Sequence, residues 1–216
     1  MIEPYLRQSA LDHLGLAGRV VDQPGGVSVR LAEKPLPAAV NLRGDAGDPA
    51  FVAAVREALG AEPPTVPNTV ATAGSLALLW LGPDEWLAVE HGATPEAETM
   101  LASKLRGALA GQHAAVTEVG EQYVCLHIAG RHARDVIAKG CPLDLHPRVF
   151  GGVGHCAQSH LSKTSIILHQ VGDPESGLGG AGGGAYDLYT RRSFADYLWH
   201  WLESAAREYG LAVVAP

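Results

Sequence analysis

The chain has 216 residues, 47% hydrophobic and 18% charged, a composition that can bury a sizeable core and is unlike that of a disordered chain. Its 16 Lys+Arg against 23 Asp+Glu leave a net charge of −7, which excludes the basic footprint expected of a nucleic-acid binder or of a protein drawn to an anionic membrane surface. At about 150 residues per domain, the length allows one elaborated domain or two small ones.

The chain opens with a predicted helix over 5–16, followed by a Pro-Gly-Gly turn (Pro24 to Gly26). The N-terminus has acidic residues and no apolar run, so it does not read as a signal peptide. Strands are predicted over 27–31, where Val27, Val29 and Leu31 share a face, and over 39–42 before the turn Arg43-Gly44-Asp45. Asp48 then caps a helix with Pro49 in its first position, Phe51, Val52, Val55 and Leu59 at helical spacing, and Gly60 as its stop. Residues 63–83 lack a charged side chain, as a membrane span would, but four prolines interrupt them and only Ser75–Leu81 is densely apolar. That segment reads as a buried strand. It pairs through the turn 82–85 with a strand over 86–90, and the Pro-rich loop 63–67 is the predicted domain boundary.

Thr94 and Pro95 open a helix with a predicted buried stripe of Met100, Leu101, Leu105 and Leu109. Strands over 114–119 and 123–128, a short helix over 131–139 closed by Gly140, strands over 155–161 and 165–171, a Gly-rich loop over 172–184 and a strand over 185–189 follow. The last helix is marked by a capping box, Ser193 with Asp196, and by an apolar face of Phe194, Tyr197, Leu198, Trp201 and Leu202; a final strand is predicted over 211–214. Strand pairs separated by helices indicate an α+β fold of antiparallel or mixed sheet with helices packed on one face: two small lobes, 1–66 and the larger 67–216, with one compact body as the alternative. Three cysteines, Cys125, Cys141 and Cys156, are an odd number in a long chain, which argues against a disulfide framework and for a reducing, cytoplasmic compartment.

Few residue sets point to chemistry. The run Gly177 to Gly184 lacks the Lys-Ser/Thr of a phosphate loop and leads into a strand, so it offers no helix N-terminus to a phosphate and reads as a flexible loop. The densest polar cluster is Cys141, Asp144, His146 and Arg148, with His155, Cys156 and His160 beyond it. These are zinc-ligand types, but their spacing fits no zinc pattern, and neighbouring strand residues point to opposite faces, so no metal site is expected. Cys141 follows a helix C-terminus, whose dipole raises a thiol pKa, so it is not expected to be a nucleophile. The alternative is a rigid loop set by Gly140, Pro142 and Pro147 around a small buried Cys141. Arg43 and Asp45 brace a turn or present a guanidinium to a partner. Trp199 and Trp201 lie two apart on the last helix, so with Trp201 in the core Trp199 leans outward as a candidate interface anchor.

Taken in order, Leu42-Arg43-Gly44-Asp45, Asp48-Pro49-Ala50-Phe51, Pro67-Asn68-Thr69, Trp80-Leu81-Gly82-Pro83-Asp84-Glu85-Trp86-Leu87, Gly140-Cys141-Pro142-Leu143-Asp144-Leu145-His146-Pro147 and Arg192-Ser193-Phe194-Ala195-Asp196-Tyr197-Leu198 form a set. Their order and spacing, from about Ser9 to the C-terminus, resemble the gamma subunits of heterotetrameric sarcosine oxidases. The long Gly-rich loop and the scarcity of aromatics depart from that family without touching the shared motifs. The resemblance implies a fold like the folate-binding domains of aminomethyltransferases. It also implies a non-catalytic role in assembling a flavoenzyme that oxidatively demethylates sarcosine to glycine. By the same resemblance the alpha, beta and delta subunits are partners, and FAD, FMN, NAD and tetrahydrofolate sit in those partners rather than in this chain. Arg43, Asp45, Cys141, Asp144, His146, Arg148 and Trp199 are then candidates for docking or bracing. A second reading is a free-standing folate-binding, aminomethyltransferase-like protein. Lys139-Gly140-Cys141 resembles the start of a motif in a folate-dependent relative, although Pro142-Leu143-Asp144 replaces the Gly-Gln-Glu that follows there. A metal-dependent hydrolase built on the Cys/His cluster has the least support.

Overall fold

The computed structural model describes residues 8–21, 26–35, 38–90, 96–172 and 183–215. The predicted start of the N-terminal helix, Pro24 of the first turn, Thr94-Pro95 and most of the Gly-rich loop lie outside them. In chain order the elements are β1 (Val29–Lys34), β2 (Ala38–Arg43), α1 (Pro49–Leu59), β3 (Val70–Ala73), β4 (Leu76–Gly82), β5 (Glu85–Glu90) and α2 (Ala97–Ala108). Then come β6 (Ala115–Glu118), β7 (Tyr123–Gly130), α3 (Ala133–Ala138), β8 (Cys156–Leu161), β9 (Thr164–Gly172), β10 (Gly184–Arg191), α4 (Ala195–Ala206) and β11 (Leu211–Val213). None of the described helices is long and apolar enough to cross a membrane.

The chain forms two compact units, one within Leu36–Gln122 and the other within Gln8–Pro35 and Tyr123–Pro216. In the first, an antiparallel sheet ordered β3-β4-β5-β2-β6 carries α1 and α2 on one face. Alternation aims Val40 and Leu42, Leu76 and Leu78, and Trp86 and Ala88 at Phe51, Val55, Leu101 and Leu105 of the helices. α1 forms as its sequence dictates: Asp48 Oδ1 accepts the Ala50 amide at 2.9 Å, Pro49 needs no donor in the first turn, and Gly60 closes the helix at φ +78°.

The unit boundary is not at 66/67. β2 and β5 pair across the Pro-rich loop, Pro63 is buried, and the Trp86 indole donates to the Pro64 carbonyl at 2.8 Å, so the loop is packed inside the first unit. In α2, Leu101 and Leu105 are buried, with Leu109 just beyond the helix, but Met100 is exposed because it lies about 100° round the helix from Leu101.

The second unit holds a six-stranded mixed sheet ordered β11-β1-β7-β10-β9-β8, with β1 and β11 parallel and the other pairs antiparallel. α3 and α4 cover one face through Val136, Ile137, Leu198, Trp199 and Leu202 against Leu31, Leu126, Ile128, Leu168 and Leu188. Gly130 ends β7 at φ +127°, where a Cβ would lie 2.3 Å from the Ser28 carbonyl oxygen.

Three local expectations are corrected in this unit. In place of the N-terminal α-helix, the described residues form two 3-10 turns, Asp12–Leu14 and Leu16–Arg19, separated by Gly15 at φ +57°. The Ser193 capping box does not form: Arg192–Phe194 is a 3-10 turn, and Asp196 faces His13 Nε2 at 2.8 Å instead. Finally, α4 buries Ala195, Leu198, Trp199, Leu202 and Ala206 rather than an arc centred on Trp201. The helix carries two overlapping apolar arcs, and the one bearing the small Ala195 and Ala206 lets it approach the sheet closely.

Removing the α1 cap in Asp48→Ala should cost about 1 kcal/mol, read as a lower urea midpoint at unchanged slope. An unchanged midpoint would show that the cap does not hold the helix.

Candidate functional site

The loop after α3 closes on itself. Asp144 Oδ1 accepts the His146 amide at 2.9 Å, His146 Nδ1 accepts the Arg148 amide at 3.2 Å, and the His146 carbonyl accepts the amides of Val149 and Phe150 at 2.8 and 2.9 Å. Cys141, Leu145 and Phe150 are buried in the core, and the Cys141 thiol lies 3.7 Å from Ser159 Oγ. The polar side chains of this loop are thus used on its own backbone, and only Arg148 projects as an exposed cation. His155 Nδ1 lies 3.1 Å from the Gly152 carbonyl and His160 is exposed on β8. Among the described residues no group of three or more His, Cys, Asp or Glu is placed to hold a metal ion.

In the first unit, Arg43 pairs with Asp84 at 3.0 Å on the β4–β5 turn, with both side chains more than half exposed. Asp45 Oδ1 accepts the Gly47 amide at 2.8 Å, which holds the turn into α1. The candidate residues are therefore divided between the two units. Trp199, expected to lean outward, is fully buried, and Trp201 is the half-buried tryptophan of α4.

A buried carboxylate held below its ordinary pKa was not singled out in the sequence. Asp187 on β10 is 1% exposed; its Oδ2 accepts from Lys34 Nζ of β1 and its Oδ1 from His127 Nδ1 of β7, each at 2.7 Å. Strand register makes the meeting possible, because His127 stands opposite Asp187 on one side and Ala32 on the other, with Lys34 one alternation beyond. All three lie on the sheet face turned away from α3 and α4. Burial alone pushes the Asp187 carboxyl up, but the hydrogen bond from His127 and the Lys34 ammonium outweigh it and hold the group at about 2. An ionised carboxylate only accepts, so His127 Nδ1 carries a proton. Nearby, burial pushes the thiol of Cys125 and the phenol of Tyr189 well above their ordinary values, which keeps both neutral. The network neutralises its own charge. The available signal was the presence of His127 and Asp187 in largely apolar strands, with Lys34 at the end of β1, but only cross-strand register shows that they meet.

The depressed Asp187 value fixes the sign of a pH effect. Its stabilisation is fully present above about pH 4 and is lost as the pH falls toward 2, amounting to about 2 kcal/mol. Asp187→Asn should lower stability at neutral pH by at least that amount, about 2 kcal/mol, and flatten the acid limb of a stability–pH profile. An equally steep acid limb in the variant would place the titrating group elsewhere.

Residues 43–208 match the family model for the sarcosine oxidase, gamma subunit family. The chain is 30% identical to the sarcosine oxidase subunit gamma of Corynebacterium sp. (strain U-96) over 97% of this chain and 95% of that one. It is 32% identical to the subunit gamma of Arthrobacter sp. with the same coverage. Its structure superposes on a chain of the heterotetrameric sarcosine oxidase from Corynebacterium sp. U-96, solved with pyrrole 2-carboxylate, at a TM-score of 0.78 and 30% identity, covering 97% of this chain and 100% of that chain. The glycine cleavage system aminomethyltransferase T from Bartonella henselae shares the fold at a TM-score of 0.62 and 12% identity, over 97% of this chain and 59% of that one. By the matched family model and by identity to its relatives over nearly the whole length, this chain belongs to the sarcosine oxidase gamma subunit family.

Proposed function

We propose that this chain is the gamma subunit of a heterotetrameric sarcosine oxidase and works as an assembly subunit rather than as a catalyst. The observation that carries the reading is the end-to-end likeness, in sequence and in structure, to a chain of a solved heterotetrameric sarcosine oxidase. In such an enzyme the methyl group of sarcosine is removed oxidatively, leaving glycine, hydrogen peroxide and a one-carbon unit. On this reading the alpha, beta and delta subunits are the partners, and they hold the FAD, FMN, NAD and tetrahydrofolate. This chain supplies surface. Two features support that division: the loop 141–150 spends its polar groups on its own backbone, and the Asp187 network is charge-balanced from within. The free thiols of Cys125, Cys141 and Cys156 fit a cytoplasmic complex. Asp45, Asp144 and His146 act as braces, and Arg43 and Arg148 are the cations they present.

Expression of the alpha, beta and delta subunits with and without this chain tests the proposal. The assembled oxidase should be recovered in good yield only when this chain is present; a fully active oxidase formed without it would remove the assembly role. Calorimetry on the isolated chain should give no heat with tetrahydrofolate, whereas micromolar binding would favour the folate-binding reading. Charge reversal in Arg148→Glu should weaken assembly about tenfold without lowering the melting temperature. A lower melting temperature with unchanged assembly would make Arg148 a brace instead.

A further inference from the structure

α4 presents an aromatic stripe that its own unit leaves partly exposed. Phe194 at the N-cap, Tyr197 and Trp201 follow at i, i+3 and i+7, which puts them on one face of the helix, beside the buried arc. Phe194 and Tyr197 are 44% and 38% exposed, and Trp201 is half-buried. A mobile surface aromatic would need no seat, but Tyr197 and Trp201 have one. The Trp201 ring lies over Gly140, where a Cβ would come within 2.6 Å of Cζ2, so the glycine leaves the space the indole occupies. The Tyr197 hydroxyl lies 2.7 Å from Ser162 Oγ, and the Ser162 amide donates to the Gly140 carbonyl at 2.9 Å. Ser162 itself holds φ +55°, a conformation uncommon for a residue with a side chain. Three elements, α4, the turn after α3 and the β8–β9 turn, thus fix Tyr197 and Trp201 while leaving Phe194, Tyr197 and part of Trp201 exposed on this unit.

The charges around the stripe indicate what covers it. The carboxylates of α4 and the turn after it are engaged within the unit: Asp196 with His13 and His200, Glu203 with Arg19, Glu208 with Lys139. Lys163, next to Ser162 at the rim, is exposed and has no carboxylate partner among the described residues. The surface is apolar and aromatic at its centre with an unpaired cation at its edge, a composition that suits a protein partner offering aliphatic side chains flanked by a carboxylate. A second copy of this chain, at net charge −7, is the poorer match because like-charged molecules repel. We infer that the Phe194–Tyr197–Trp201 face of α4 is the docking surface for another subunit of the oxidase, with Lys163 pairing an acidic residue at its edge. The inference rests on the subunit role proposed above and adds the face used.

The test co-expresses the alpha, beta and delta subunits with this chain carrying Phe194→Asp and Tyr197→Asp, both at exposed positions, and compares assembly affinity with the unsubstituted chain. The expected result is a loss of at least about thirtyfold, with an unchanged melting temperature for the isolated chain. Hydroxyl-radical footprinting of the unsubstituted complex should show Tyr197 and Trp201 protected relative to the free chain, a readout independent of whether the variant folds. Failure of the unsubstituted chain to assemble would remove the subunit role and this surface with it. Assembly with undiminished affinity in the variant, or oxidation of both rings at the same rate in complex and free chain, would place docking elsewhere and leave the subunit role intact. Loss of self-association by the variant with unchanged assembly would assign the face to a second copy and overturn the inference.

Discussion

Strand β1 is held on both sides by segments far away in sequence, and this constraint organises the second unit. Val29, Arg30 and Leu31 pair in parallel with Leu211, Ala212 and Val213, while Arg30 to Lys34 pair antiparallel with Ala129 to Cys125. The residues between β1 and β7 cannot pair with β1, because both of its sides are taken. They close instead into a sheet of their own, with its own helices and core. The same pairing carries Lys34 to the position where it reaches Asp187 across β7.

Burying a carboxylate in the middle of a sheet costs desolvation energy, and strand register supplies the offset. His127 and Lys34 arrive from the adjacent and next-adjacent strands, so the charge is met by two donors without any loop having to order around it. In the loop 141–150 the exposed Asp144 and His146 cap turns of the backbone. Both polar clusters are satisfied from within the chain.

Much of the fold was legible because its signals are local. Asp48, Pro49 and Gly60 mark α1 within a dozen residues, and the apolar 76–81 run with the Gly-Pro-Asp turn marks the β4–β5 hairpin. The α+β class followed from the order of such segments, and the succession of motifs pointed to the family. What escaped depends on distant partners. The Pro-rich loop looked like a linker, but its meaning is set by Trp86 and by the β2–β5 pairing across it. Tryptophans two apart on α4 could each have been the core residue; the choice of Trp199 depends on how closely Ala195 and Ala206 allow the helix to approach the sheet. Asp196 had a plausible capping role, yet His13, at the other end of the chain, lies against it. Asp187, His127 and Lys34 are unremarkable singly, and only three strands in register make them a network.

The central claim is that this chain is a cofactor-free partner in a larger oxidase. Native mass spectrometry of the complex purified from its own organism through a tag on this chain tests it most directly. The account predicts a heterotetramer with one copy of this chain, from which this chain dissociates without flavin while the flavin mass stays with the other subunits. Recovery of the chain alone, or release of this chain with a flavin or folate bound to it, would contradict that claim.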